Sequence, residues 1–187
     1  VAILDDDDEW TEDHIASCLH ICSNVDLVLS SIKTIKNGSD IGIRTPENMT
    51  LNGFYAGNPG WQGSNTFIKL NSILDVGCFD EGLLCTHDRD LAIRWLKHGK
   101  GKYNFTGKPT VLYHLETEKE ALTTEEKGKW TGILQFYYTH VANMNESDIT
   151  SFKKRAKDFF GIDTSLFNLV VVDDEYHGFP LSPYIGE

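Results

Sequence analysis

The chain opens on four apolar residues, Val1-Ala2-Ile3-Leu4, and turns at once into five acids, Asp5-Asp6-Asp7-Asp8-Glu9. No other stretch limits the fold so strongly. A short apolar run ended by charge reads as a buried strand whose C-terminal end meets a loop. Carboxylates crowded on one loop repel each other unless they are solvated or share a cation. Strand C-termini are also where open α/β sheets place their ligands. Hard oxygen ligands in that setting suit Mg2+ or Mn2+, which can in turn hold a diphosphate. On the residues alone a plainer reading stays open: a solvated acidic turn leading into the next helix, since Asp and Glu are favoured near helix N-termini.

A buried strand rarely opens a domain, so missing sequence upstream is expected. The rest of the chain alternates helical and strand patterns. Residues 12–22 place Ile15, Ala16, Cys18, Leu19 and Cys22 on one helical face. Residues 26–35 are β-rich. Gly38, Gly42, Pro46 and Gly53 punctuate a loop or hairpin region to about residue 63. A strand is expected over 64–70, a short helix or turn over 71–76, a helix over 88–98 stopped by Gly99, and a strand over 111–115. Two amphipathic helices follow, over 125–141 and 147–160, and a strand over 166–172. The expected class is α/β, a mixed Rossmann-like sheet flanked by helices. The expected division is a catalytic part, 1–118, and a helical extension with a terminal strand, 119–187.

Composition narrows the partners. Seventeen Lys and Arg stand against 28 Asp and Glu, a net charge of −11 over 187 residues. That balance argues against a chain built to coat nucleic acid or anionic lipid, both of which need clustered basic charge. An anionic ligand would then need something other than net charge to hold it, such as a metal ion. No run approaches a membrane span of about 18 apolar residues. The first residues lack a signal peptide's basic n-region and long apolar stretch, so the expected location is cytoplasmic, membrane-peripheral at most. Cys18, Cys22, Cys78 and Cys85 show neither CxxC nor zinc spacing, and buried free thiols are expected.

A second chemical signal is His87-Asp88-Arg89-Asp90-Leu91, at a helix start after Gly77-Cys78-Phe79-Asp80-Glu81-Gly82. A lone Asp there is ordinarily an N-cap. The opening run does not follow the DxDx[TV] pattern of haloacid-dehalogenase phosphatases, because position 9 is Glu9.

Three motifs together resemble the family-two glycosyltransferases of the GT-A fold. Leu4-Asp5-Asp6-Asp7-Asp8-Glu9-Trp10 resembles their LDxDDxW segment. Gly63-Ser64-Asn65-Thr66-Phe67, followed by Val76-Gly77-Cys78-Phe79-Asp80-Glu81, resembles their G-S-x-x-F…GGFDE segment. Asp88-x-Asp90-Leu91-x-x-Arg94 resembles their ED-x-DL-x-x-R helix start. The order and rough spacing agree across residues 1 to about 100. The resemblance implies transfer of a sugar, with inversion, from a nucleotide-sugar donor to a glycan or other hydroxyl acceptor, as in polysaccharide biosynthesis. Asp5 and Asp7 then correspond to the outer residues of the DxD motif, with Asp7 the expected direct ligand of Mn2+ or Mg2+. Asp88 corresponds to the general base. His114 is a further candidate ligand, since some family members use a late His there. Asp6, Trp61, Gln62, Gly63, Asn65, His87 and Asp90 are candidates for donor or acceptor binding.

The chain departs from the family pattern in three ways. His87 stands where Glu is usual, and Cys78 where a second Gly is common. The segment that carries the family's nucleobase and ribose pocket is absent upstream, so the chain as given is expected to bind donor poorly or be inactive alone. Bland readings accompany several candidates: Trp61 packing under its loop, His114 as an ordinary core or surface histidine, Arg94 pairing with Asp90 or Asp88. A non-catalytic glycosyltransferase-like module that binds metal or a protein partner is the competing reading. A nucleotidyltransferase would want a Gly-rich basic loop that is not visible.

Overall fold

The computed structural model describes residues 1–47, 49–115 and 126–168, without the side chains of 126–128. They form a mixed sheet flanked by helices: β1 (Glu9–Trp10), α1 (His14–Ile21), β2 (Leu27–Lys36), β3 (Ser39–Arg44), α2 (Leu51–Ala56), β4 (Thr66–Ile68), α3 (Leu70–Leu74), α4 (His87–His98), β5 (Tyr103–His114), α5 (Glu126–His140) and α6 (Glu146–Phe160). The strand order is β1-β5-β2-β3, with β4 also paired to β2. β2 runs parallel to β5 and antiparallel to β3 and β4, while β1 is antiparallel to β5.

β2 holds the sheet together because it is buried along most of its length. Leu27, Val28, Leu29 and Ile32 are all at most 1% exposed, and their β-branched or bulky side chains suit a strand covered on both faces. Asn37 (φ 50) and Gly38 (φ 71) form the two-residue turn into β3; both take the left-handed conformation that such hairpin turns require.

One hydrophobic cluster joins Leu27, Leu29 and Ile68 of the sheet to Phe54, Trp61, Leu91 and Ile93, and to Phe136, Phe152, Ile162 and Phe167 near the C-terminus. The helices beyond residue 118 therefore share the core of the sheet. Each buried aromatic contributes on the order of 2–3 kcal/mol by removing apolar surface from water. Arg89 is buried in this core: its guanidinium donates to the Phe54 and Tyr55 carbonyls and stacks 4.3 Å from the Phe136 ring centroid. Burial pulls its pKa down to about 9.

The expected helices of 12–22, 71–76, 88–98, 125–141 and 147–160 correspond to α1, α3, α4, α5 and α6, and the strand of 26–35 to β2. Five details differ. The strand expected over 64–70 is confined to β4, with Ser64 and Asn65 in a 3-10 turn and Leu70 opening α3. Residues 1–4 are not a buried strand. Ala2 makes an isolated bridge to Phe67, and Val1 and Leu4 are 52% and 45% exposed. The region 38–63 contains α2 besides the hairpin, and Thr50 caps it by accepting from the Gly53 N–H. β5 begins eight residues before the expected start, through Asn104, Gly107, Lys108 and Pro109, which show no apolar alternation. In place of a strand, residues 164–168 form a 3-10 turn; the rest of that expectation, 169–172, lies outside the described residues. Cys18, Cys22, Cys78 and Cys85 are all free. Among the described residues no helix is long and apolar enough to cross a membrane.

Candidate functional site

The acidic run forms the turn between the Ala2 bridge and β1, closed by the Asp8 N–H donating to the Asp5 carbonyl. Asp5, Asp6 and Asp7 are exposed, whereas Asp8 is buried. Ser64, fully buried in the 3-10 turn Gly63–Asn65, ties this turn down. Its hydroxyl accepts from the Asp5 N–H (3.1 Å) and lies 2.5 Å from Asp8 Oδ2 and 3.2 Å from Asp5 Oδ2. One hydroxyl carries one proton, so it satisfies only one of the two carboxylates. The shorter contact assigns that proton to the buried Asp8, which leaves the exposed Asp5 carboxylate open to water or a cation. Partial desolvation pushes Asp5 upward, opposed by Ser64 and reinforced by Asp7 and Asp6. Desolvation likewise raises Asp8, against hydrogen bonds from Ser64 and the His114 N–H.

Asp88 arrives from the start of α4. The residue two before it, Thr86, has φ 65. A β-branched side chain pays for that left-handed conformation, a strain of order 1–3 kcal/mol that tertiary packing must hold. Cys78 has φ 60 in the preceding loop, the backbone region that favours the glycine usual at this position of the resembling motif.

The two motifs meet. Burial moves the Asp88 pKa up to about 7; the negative charges of Asp5 and Asp8 add to the rise, and Arg44 and a hydrogen bond from the Gly63 N–H oppose it. Asp5 and Asp88 thus share one electrostatic site, with Gly63 between them. A Cβ built on Gly63 would lie 2.7 Å from Asp5 Oδ1, so only glycine leaves room for that carboxylate. The loop before Gly63 is fixed by Asn58, whose side chain accepts from the Gly60 and Trp61 N–H groups and donates to the Trp61 carbonyl.

No known family model matches the chain, and no curated protein matches it.

Several candidate residues have other roles. Trp61 is fully buried, with its indole N–H bonded to Thr66 Oγ1, so it cannot stack on a sugar. Asn65 is fully buried; it donates to the Ser30 and Gly60 carbonyls and accepts from the Gln62 N–H, which uses up its amide. Asp90, 1% exposed, is bound by His140 at 2.9 Å and Arg94 at 2.6 Å. Burial works to raise its pKa, but these two partners bring it below the usual carboxylate range. Arg94 also donates to the Val76 and Cys78 carbonyls, so Asp90 anchors the loop before α4. A His87 ring nitrogen lies 2.8 Å from the Leu83 carbonyl. Gly63 stays in the site through its N–H, and Gln62, partly exposed, stands beside it.

Among the described residues no three His, Cys, Asp or Glu side chains are gathered as a metal-ligand group. Asp5, Asp7 and His114 therefore do not form a ready-made cage. His114 is held by Asp8 through its backbone N–H, and its Nε2, 3.5 Å from Glu9 Oε1, is buried without a hydrogen-bond partner. The donor set nonetheless fits Mg2+ or Mn2+. Mg2+ commonly binds through one or two carboxylates plus substrate phosphates and water, and Asp5 and Asp7 are exposed carboxylates on one turn, whereas both Asp8 oxygens are engaged by Ser64 and the His114 N–H.

Sequence reasoning missed Arg44 and Tyr113. Arg44 ends β3 opposite Ile32, which aligns with Val111, two residues before Tyr113; with a period of two, Arg44 and Tyr113 project from the same sheet face. Desolvation raises the Tyr113 pKa, helped by Asp8, Asp7 and Asp5. Neither residue carries a local motif, because what places them here is pairing across three strands.

Proposed function

We propose that the chain carries out metal-dependent, inverting glycosyl transfer from a nucleotide-sugar donor to an acceptor hydroxyl, on a GT-A-like sheet. The observation that supports this most is the shared field of Asp88 with Asp5 and Asp8, which are widely separated in sequence. The metal would supply charge neutralisation at the departing diphosphate. Asp5 and Asp7 would hold it at the exposed rim of the turn, and Asp8 with Ser64 keeps that turn in shape. Asp88 accepts the acceptor's hydroxyl proton as the oxygen attacks the anomeric carbon. A base whose pKa lies near the working pH combines availability with driving force. The Gly63 N–H orients the Asp88 carboxylate, and the core around α4 keeps it partly dry. A single displacement needs no enzyme nucleophile.

The deciding measurement is Mn2+-dependent transfer or donor hydrolysis by the full chain across a panel of nucleotide sugars. Loss of turnover in Asp88→Asn with donor binding retained supports the base assignment, and unchanged turnover removes it. The competing reading is a glycosyltransferase-like module that binds metal or a protein partner without turnover; Mn2+ binding with no transfer or donor hydrolysis by any preparation would select it.

A further inference from the structure

We propose that Arg44 and Arg155 form a phosphate-binding site beside Asp88. The proposal rests on the glycosyl-transfer reading only for which substrate brings the phosphate.

The two arginines flank one loop. Arg44 comes from the sheet. Just after it, the Glu47 N–H donates to the Pro59 carbonyl, and Pro46 sits so close to Gly60 that a Cβ there would lie 2.6 Å from its Cα. Arg155 comes from α6 and lies over Gly57, at the end of α2; a Cβ on Gly57 would be 3.8 Å from its guanidinium. The loop between these anchors ends at Gly63, whose N–H bonds Asp88. Arg44 and Arg155 are within electrostatic reach of each other, and Arg44 is within reach of Asp88.

Among the described residues no carboxylate lies at ion-pair distance from Arg44 or Arg155. Arg155 Nε is buried and has no hydrogen-bond partner, and its guanidinium stacks 4.7 Å from the Phe159 ring centroid. In a chain of net charge −11, two guanidiniums beside one loop, neither ion-paired among the described residues, form a place for an anion, with Asp88 the acid within reach of Arg44. Phosphate fits, because guanidinium N–H groups pair with its oxygens in a bidentate manner. The phosphate belongs either to the donor diphosphate or to a phosphate-bearing acceptor.

Titration calorimetry of the full chain tests this. Pyrophosphate and glycerol phosphate are titrated in EDTA, and Mn2+ is titrated separately. At least one anion is expected to bind without metal, about tenfold more weakly in Arg44→Gln and in Arg155→Gln, the loss of one charge-assisted contact. Tighter pyrophosphate binding assigns the site to the donor; tighter glycerol phosphate binding assigns it to the acceptor. Failure of the wild type to bind either anion at millimolar concentration overturns the proposal, and so does unchanged affinity in both variants. Arg44→Gln alters an exposed side chain and decides the question if Arg155→Gln does not fold. The Mn2+ titration is independent: no Mn2+ binding by the wild type counts against the functional reading and leaves the metal-free result standing.

Discussion

The Asp5 carboxylate occupies the space that a side chain on Gly63 would need, with Oδ1 2.7 Å from the position of a Cβ. Gly63→Ala must displace that carboxylate. Asp5 is exposed and its carboxylate is held by a 3.2 Å contact with Ser64 Oγ, so the fold absorbs the change cheaply, at about 1 kcal/mol or less. The proposed metal site does not. We expect a melting temperature within a few degrees of wild type and Mn2+ affinity at least tenfold weaker, both readable on one preparation.

Asp88 gives a prediction in two directions. Its folded pKa of about 7 lies above the ordinary carboxylate value of 3.8. The folded chain therefore binds more protons than the unfolded one between those values, and stability falls as pH rises across that window. Asp88→Asn is expected to raise stability at pH 8 by a few kcal/mol, on the order of 2–4, in EDTA. On the glycosyl-transfer proposal the same change is expected to lower turnover by roughly 100- to 10,000-fold, the usual worth of a general base. Wild-type turnover should rise with pH through about 7. Urea melts at pH 5 and pH 8 check the first expectation, and a pH–rate profile the second.

His14 sets an acid limit. It is fully buried, stacked on Trp10 at 4.5 Å, with Nδ1 2.8 Å from Thr110 Oγ1. Burial lowers its pKa from 6.5 to about 4. Below pH 6.5 the unfolded chain takes up a proton that the folded chain refuses, so stability drops as pH falls from 6.5 toward 4. The loss is on the order of 3 kcal/mol. Urea midpoints at pH 7, 5.5 and 4.5 should show it, and His14→Gln should flatten that limb.

Asp90→Asn separates support from substrate contact. The change leaves Arg94 and His140 without their shared carboxylate in a buried place, which costs about 3–5 kcal/mol. We expect a large fall in melting temperature and an unchanged KM for the molecules that remain folded. A raised KM at wild-type stability would return Asp90 to the substrate.

The sequence made the helices legible because their apolar spacing is local: α4 and α6 carry their own stop and cap residues, Gly99 and Asn145. It also pointed to Asp5 and Asp88 through short motifs. What it hid is non-local. Trp61, between Gly60 and Gln62, left two readings open, stacking on a sugar or packing under its loop, and the chain folds its ring under the loop. Asn65 and Asp90 have the chemistry of sugar ligands and spend it on backbone carbonyls, Arg94 and His140. Asp8 was one acid among five; only Ser64, distant in sequence, makes it the buried one. Arg44 and Tyr113 became neighbours through strand pairing, for which no local pattern exists.

The parallel pairing of β2 with β5, Leu27 beside Tyr103, has a kinetic consequence. Everything between them, including Gly63 and Asp88, lies within one long crossover whose closure must precede the reward of pairing, and such topologies fold slowly. The acidic turn and Asp88 are brought together only when that crossover is in place. Metal affinity gained during refolding would thus serve as a late clock, lagging behind the appearance of helical signal.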